Sequence, residues 1–418
     1  LRVTTRSDIV LGLRANWQQF ALLVMVNAFV GGMFGLERSV LPLLARDEFG
    51  IASTTAAVSF IAAFGGAKAL SNLFAGQLAS RFTRKSVLVT GWLFGLPVPF
   101  LVILAPTWEW VVGANLLLGV NQGLAWSMPV NMKIDLVGPK QRGLALGLNE
   151  AAGYMAVAGA AYAAGVIAES FGLRPEPFYL GIAFAGAGLA LSLLVVQDTR
   201  AFVALEATSH PESEHPRLTT SFAEVTWRQP RLWAFSQTGF VNNLNDALVW
   251  GVFPLYFASQ GLSVERVAFL SAAYPLLWGS LQILTGWLSD RVPRETLIVG
   301  GMLVQGAALW TVAYVDVFNG WLAAVCLAGI GTAMVYPTLL AAIGDSVHPL
   351  HRSSALGVYR FWRDAGAIAG ALISGVLADT VGFTGAIRFV AALTMASGLV
   401  AALVLFRSEK QVTVEVHR

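Results

Sequence analysis

Long apolar runs, each of about twenty residues or more, alternate along this chain with short polar breaks that hold most of its charges. A backbone crossing hydrocarbon must satisfy its own hydrogen bonds, and runs of this length do so as helices. Hydropathy predicts six spans over residues 18–44, 54–79, 86–105, 108–132, 143–168 and 178–196. Six more are expected over 232–258, 264–289, 296–315, 320–343, 353–378 and 387–406. The expected fold class is therefore an all-α membrane protein with twelve transmembrane helices in two six-helix bundles, 18–196 and 232–406. One long polar stretch, 197–231, carries Pro211, Pro216 and mixed charges, and is expected to tether the bundles on the cytoplasmic side. A short segment, 1–17, precedes the first bundle and a tail, 407–418, follows the second.

The polar breaks repeat. Gly76-Gln77-Leu78-Ala79-Ser80-Arg81-Phe82-Thr83-Arg84 returns as Gly286-Trp287-Leu288-Ser289-Asp290-Arg291-Val292-Pro293-Arg294, 210 positions on. At the same offset, Asp135, Pro139, Arg142 and Gly147 return as Asp345, Pro349, Arg352 and Gly357. Two motifs sharing one offset of half the chain indicate a tandem duplication, the layout of a transporter built from two membrane-embedded halves.

Composition agrees. Hydrophobic residues make up 56% of the 418 and charged residues only 12%, against about 25% in soluble domains. The mean hydropathy is +0.66. No basic block points to nucleic acid. The single cysteine, Cys326, has no partner within the chain, so no intrachain disulfide or thiolate metal cluster is expected. The first residue is Leu1, so the native start is expected to be trimmed, and no cleavable signal segment is visible. Arginines and lysines gather in the N-terminal segment, in alternate loops (Arg81, Arg84, Lys85, Lys133, Lys140, Arg142, Arg291, Arg294, Arg352), in the linker and in the tail. The other loops offer only Arg46, Arg174, Arg266 and Arg388. The positive-inside rule then places both termini in the cytoplasm of a bacterial cell, with the chain in its inner membrane. Trp17, Trp108, Trp110 and Trp321, near span ends, suit an interfacial belt.

Twelve spans, paired loop motifs and a mid-chain linker together resemble the major facilitator superfamily over essentially the whole chain. Its signature between helices 2 and 3 is Gly-x-Leu-x-Asp-Arg-x-Gly-Arg-Arg/Lys. The second copy matches at Gly286, Leu288, Asp290, Arg291 and Arg294, and the first at Gly76, Leu78, Arg81, Arg84 and Lys85. Ser80 replaces the acid and Thr83 the glycine in the first copy. In the family that acid helps latch the halves together on the cytoplasmic side. The resemblance therefore implies a gate built from these residues with Asp135, Arg142, Asp345 and Arg352, weakened in the first half. A serine there cannot form a charge-assisted bond, which is roughly twice as strong as a neutral one. Gly119 stands where many proton-coupled members carry an arginine before Gln122-Gly123. The helix-5 glycine-proline pattern of drug antiporters is replaced by Gly159-Ala160.

Charges inside spans cost about 2.5–3.5 kcal/mol each on insertion scales, which makes them functional candidates. The spans hold Glu37, Glu150, Asp246 and Asp364 with Arg38, Lys68, Arg360 and Arg363. By family analogy they lie on helices that line or flank a central cavity. Asp246, inside Asn242-Asn243-Leu244-Asn245-Asp246, and Glu37 are the candidate proton carriers. Arg363, Lys68 and Arg38 are candidate contacts for an anionic solute, joined by Asn242, Asn245 and Gln122. Arg38 points about 100° from Glu37 around helix 1 and could snorkel to the outer interface. Arg360 and Asp364, four apart, can pair along one face. Glu150 takes the repeat position of Arg360, which suggests a bridge or gate between them.

No phosphate-binding glycine loop, His-Glu-x-x-His or Gly-x-Ser-x-Gly is present, so no enzyme, metal or cofactor is expected. The expected function is secondary transport of a small solute by alternating access, proton-coupled, leaning to efflux of an amphipathic or anionic compound. Import of an organic anion by proton symport is the alternative. A lipid flippase or non-transporting sensor is the rival from another class. Expected partners are the solute, protons and membrane lipid, with a monomer sufficient.

Overall fold

A computed structural model describes residues 10–137, 142–208, 222–289, 291–347 and 352–416. Helices occupy every expected span. Those of the first half are α1 (Trp17–Asp47), α2 (Thr54–Ala57 and Ser59–Arg81), α3 (Arg84–Gly95 and Val98–Ile103), α4 (Trp108–Asn121 to Ser127–Val137), α5 (Arg142–Phe171) and α6 (Glu176–Leu194). In the second half, α7 (Pro230–Ala247 to Phe253–Ser259), α8 (Val264–Ser289), α9 (Arg294–Tyr314) and α10 (Phe318–Ser346) precede one helical run, Arg352–Val416. That run breaks at Gly382, whose φ of 80° only glycine adopts readily, so it forms α11 (352–381) and α12 (383–416). Among the described residues eight helices, counting that run once, are long and apolar enough to cross a membrane.

The end bearing the loop motifs is here called inner, the opposite end outer. Local chemistry sets the helix starts: Ser53 accepts from Ala56 N at the head of α2, and Thr83 accepts from Ser86 N at the head of α3. Pro97 ends the first part of α3 because its ring lacks an N–H to continue the ladder. Within the expected linker, a short helix covers Arg200–Thr208 and a wide turn covers Glu224–Arg228.

In each half the two loop motifs close on one another. Arg84 lies 3.0 Å from Asp135, and Arg294 lies 2.9 Å from Asp345. The same pair of residue types, displaced by the repeat offset, makes the same contact twice, within each half rather than between halves. Asp290 lies outside the described residues, as do the surroundings of Gly76 and the side chains of Arg142 and Arg352. Lys133, expected in a basic loop, is instead fully buried, with Nζ bonded to Asn149 Oδ1. Of the expected belt, Trp17 and Trp110 are exposed, but Trp108 and Trp321 are core residues; the Trp108 indole donates to Ala56 O.

The halves meet along α5–α8, α2–α11, α1–α7 and α1–α8. Between described residues, hydrogen bonds across this seam run from the outer ends down to Asn72 and Asp364, 3.3 Å apart. Farther in, Gly147 and Gly357 face open space. The halves are therefore closed on each other at the outer end.

Candidate functional site

Asp246 stands at the centre of the structure, on α7 immediately before the turn Leu248–Val252, where the hydrogen-bond ladder widens. It is almost wholly buried. Its Oδ1 accepts from the Tyr274 hydroxyl, which also lies 2.7 Å from Thr332 Oγ1. Its Oδ2 lies 3.5 Å from Arg363 Nη2. That contact is single and long against about 2.7–2.9 Å for a strong charge-assisted bond, so the pair is loosely held.

Arg363 is shared among several groups. Its guanidinium lies 4.3 Å over the Tyr336 ring and 5.9 Å from that of Trp278. Nη1 is 4.0 Å from Asp364, and Nε has no acceptor. Asn243 anchors the helix behind it by donating to Arg363 O at 2.7 Å. Asp364 turns toward α2, where Asn72 donates to it and Ser127 donates to Asn72 Oδ1 at 3.1 Å. Lys68, one turn from Asn72, makes no hydrogen bond or ion pair among the described residues. It lies 5.7 Å from the Phe64 ring and within the fields of Asp364, Arg363 and Glu150. Glu150 accepts from Trp126 Nε1 at 3.3 Å and Asn149 Nδ2 at 3.0 Å.

The site thus unites Asp246, Arg363, Asp364, Lys68 and Glu150 from α2, α5, α7 and α11. Its walls are aromatic: Tyr154 packs 3.8 Å from Trp278, Trp126 lies 5.6 Å from Tyr154, and Tyr336 lies 5.7 Å from Trp278. These rings are absent from the sequence expectations, which rest on charged and amide side chains. The available signal was the spacing of Tyr274 and Trp278, four apart and hence on one face of a mid-membrane helix.

Several expected contacts lie elsewhere. Asn242 and Asn245 both donate to Gln305 Oε1 at 3.0 Å, and Asn245 Oδ1 accepts from Thr394. They face α9 and α12 inside their own half because the helical twist turns them away from Asp246. Gln122 is buried and donates to Val30 O at 2.8 Å. Arg360 is exposed and pairs with neither Asp364 nor Glu150 among the described residues; Asp364 turns instead to Asn72 and Arg363, while an exposed guanidinium gains little from pairing.

Glu37 and Arg38 are not hydrogen-bonded to each other: both are buried, and Glu37 Oε2 and all three Arg38 guanidinium nitrogens lack partners among the described residues. Arg38 does not snorkel. It is 1% exposed, with the Phe34, Phe64 and Phe60 rings at 3.9, 4.8 and 5.4 Å from its guanidinium carbon and the Trp250 ring at 5.8 Å. Packing of α7 on α1 and α2 closes the route to the interface that a lone helix would leave open.

A surface groove of about 490 Å³ lies away from these charges, lined by Leu70, Phe74, Leu78, Phe94, Leu124 and the inner Arg81 among others. Its apolar walls suit lipid chains better than a charged solute.

The sequence model described as Major Facilitator Superfamily matches residues 20–244 and again 236–417. The 3-(3-hydroxy-phenyl)propionate transporter of Escherichia coli K12 is 27% identical over 362 residues, 81% of this chain and 82% of that protein. Multidrug resistance protein MdtG of Salmonella arizonae is 22% identical over 394 residues, 88% of this chain and 91% of its own. Among solved structures, a POT family transporter crystallised with a thioalcohol-conjugated peptide superposes with a TM-score of 0.76 at 13% identity. That likeness covers 97% of this chain and 99% of the other and speaks to the fold.

Proposed function

Because this chain belongs to the Major Facilitator Superfamily, we propose that it carries a small organic anion with a flat apolar body across a membrane together with a proton, by alternating access. The observation that carries this reading is Arg363, a cation on the face of Tyr336 and loosely paired with Asp246. A carboxylate can replace Asp246 as its partner while an arene packs on Trp278, Tyr154 and Tyr336. Asp246 is then left buried without its cation, and an isolated buried carboxylate is neutralised rather than kept charged. Anion and proton therefore bind together, which is symport. Lys68, unpaired among the described residues, supplies a second cation.

Symport moves the anion inward under an inward proton gradient, with the basic inner loops in the cytoplasm of a bacterial cell. Export of an amphipathic compound, toward which the apolar walls lean and which the name of the Salmonella arizonae relative suggests, requires proton and solute to compete for the site. The aromatic acid in the name of the Escherichia coli relative supports the anion.

The test is reconstitution into liposomes with an imposed pH gradient and a panel of benzoate, phenylacetate, phenylpropionate, aliphatic carboxylates, quaternary ammonium ions and neutral arenes. Proton influx accompanying an aromatic carboxylate is expected. Proton efflux against solute entry, or response only to cations, rejects the reading. Arg363→Gln or Lys68→Gln should raise the apparent Kd by about tenfold to over a hundredfold, since a charged hydrogen bond is worth roughly 1.5–3 kcal/mol.

A further inference from the structure

Arg38 has a fully buried guanidinium whose Nε, Nη1 and Nη2 all lack an acceptor. A buried donor set without partners is unfavourable, and cation–π contact with the surrounding rings offsets only part of that. Opening the cage would therefore relieve this cost, by giving the guanidinium water or an anion to donate to.

The cage is not built from one half. Phe34, Phe60 and Phe64 belong to α1 and α2, whereas Trp250 belongs to α7 and touches Phe34 edge-on at 5.1 Å. Trp250 stacks in turn on Trp278, with centroids 6.3 Å apart and planes at 24°, and Trp278 borders Arg363. Two stacked indoles therefore separate two guanidinium groups. Arg38 is the outer of these: it lies nine residues from the outer end of α1 at Asp47, about 13 Å at the helical rise. Arg363 lies eleven residues from the inner start of α11 at Arg352, or about 16 Å. Trp250 also sits on the widened turn Leu248–Val252, a kind of local defect that often marks a functional site.

We propose that Arg38 is an outer anion subsite, hidden while the outer end is closed and uncovered when Trp250 withdraws with its half. There its planar donor fork takes the carboxylate of an incoming aromatic acid, the freed phenyl rings hold the arene, and the closing Trp250 passes the anion on toward Arg363. This rests on the anion-transport reading above and adds a sidedness to it. Arg363 serves both faces of the membrane, and Arg38 serves the outer face alone.

The experiment measures labelled phenylpropionate uptake in right-side-out and inside-out vesicles carrying the full chain. Arg38→Gln is expected to raise KM at the outer face about tenfold or more and to change KM at the inner face by less than about twofold. Arg363→Gln should raise both. Arg38→Met, which fills the same apolar cage without a charge, should lose outer-face affinity like Arg38→Gln while melting at a higher temperature than the wild type. Arg38→Lys should restore part of the outer-face affinity. Equal weakening at both faces, no weakening at either, or a lowered melting temperature for Arg38→Met overturns the subsite and leaves Arg38 a packing residue. Wild-type vesicles that carry none of the aromatic carboxylates sink the anion-transport reading itself, and the subsite with it.

Discussion

A carboxylate and a guanidinium 3.5 Å apart in a buried site are poised between two arrangements. Removing one partner from a buried pair typically costs about 3–5 kcal/mol because the other charge is stranded, so the pair responds strongly to any ligand that competes for one member. Asp246→Asn removes the proposed proton site while nearly preserving volume and the Tyr274 contact. Gradient-driven uptake should fall to background in this variant, while exchange of labelled for unlabelled anion at equal concentrations persists. Equal loss of both activities would move Asp246 from coupling to folding or anion binding. Which side chains carry charge in the membrane was legible in the sequence, because no such charge is cheap. Which way each one points was not. Asn242, Asn243, Asn245 and Asp246 lie in one short run, yet they face α9, α11, α9 with α12, and the central site respectively. Packing of neighbouring helices decides that, and no single-helix pattern records it. The Arg38 cage was hidden for the same reason, since its fourth ring arrives from the other half.

At the scale of helices, the twelve spans were readable because lipid leaves the backbone few alternatives, although the widened turns Gln122–Trp126 of α4 and Leu248–Val252 of α7 leave no hydropathy signal. Close helix crossings were only partly readable. In the first half, Gly31 and Gly35 of α1 meet the backbone of α5: a Cβ on Gly35 would lie 2.3 Å from Val157 O. In the second half the equivalent pair, α7 and α11, reverses the arrangement, with Gly366 and Gly370 on α11. A Cβ on Gly366 would lie 2.1 Å from Phe240 O. Both are small-xxx-small crossings, at which backbone rather than a movable side chain fills the space. Gly35→Val and Gly366→Val should each destabilise the fold by about 1–3 kcal/mol or more, the range for overpacking, seen as a lower Tm in detergent. Gly147→Ala, which faces open space, should leave Tm nearly unchanged. A Gly366→Val protein with wild-type Tm would show that α7 and α11 can separate without loss.

At the scale of the whole molecule, duplication was legible from the loop motifs, and the matching ion pairs Arg84–Asp135 and Arg294–Asp345 show what the repeat preserves. How the outer ends close was not legible, because the residues responsible are distant in sequence and lack a motif. Asp379, just beyond the expected span of α11, accepts from Ser53 Oγ at 2.7 Å, Thr55 Oγ1 at 2.7 Å, Thr55 N at 3.0 Å and Thr54 N. A carboxylate of one half thus caps the first turn of α2 in the other, where the helix dipole also favours negative charge. Burial pushes its carboxyl up from the usual 3.8, but the bonds from Thr55, Ser53 and Thr54 outweigh that and hold it at about 2. Because the closed state has the lower pKa, the contribution to closure is complete above about pH 4 and is lost as pH falls toward 2. Titration of this group should therefore leave closure unchanged between about pH 5 and 8, whereas replacing it should act at neutral pH as acid would. Spin labels on the α1–α2 loop and at the α11–α12 turn report the outer separation. Asp379→Asn is expected to add a longer-distance population at neutral pH, and Asp379→Glu a smaller one. A distance distribution for Asp379→Asn identical to that of the wild type would assign closure to the packing of Gly165 on Ala268 and Gly375 on Thr55, with the cap a consequence of closure rather than a cause.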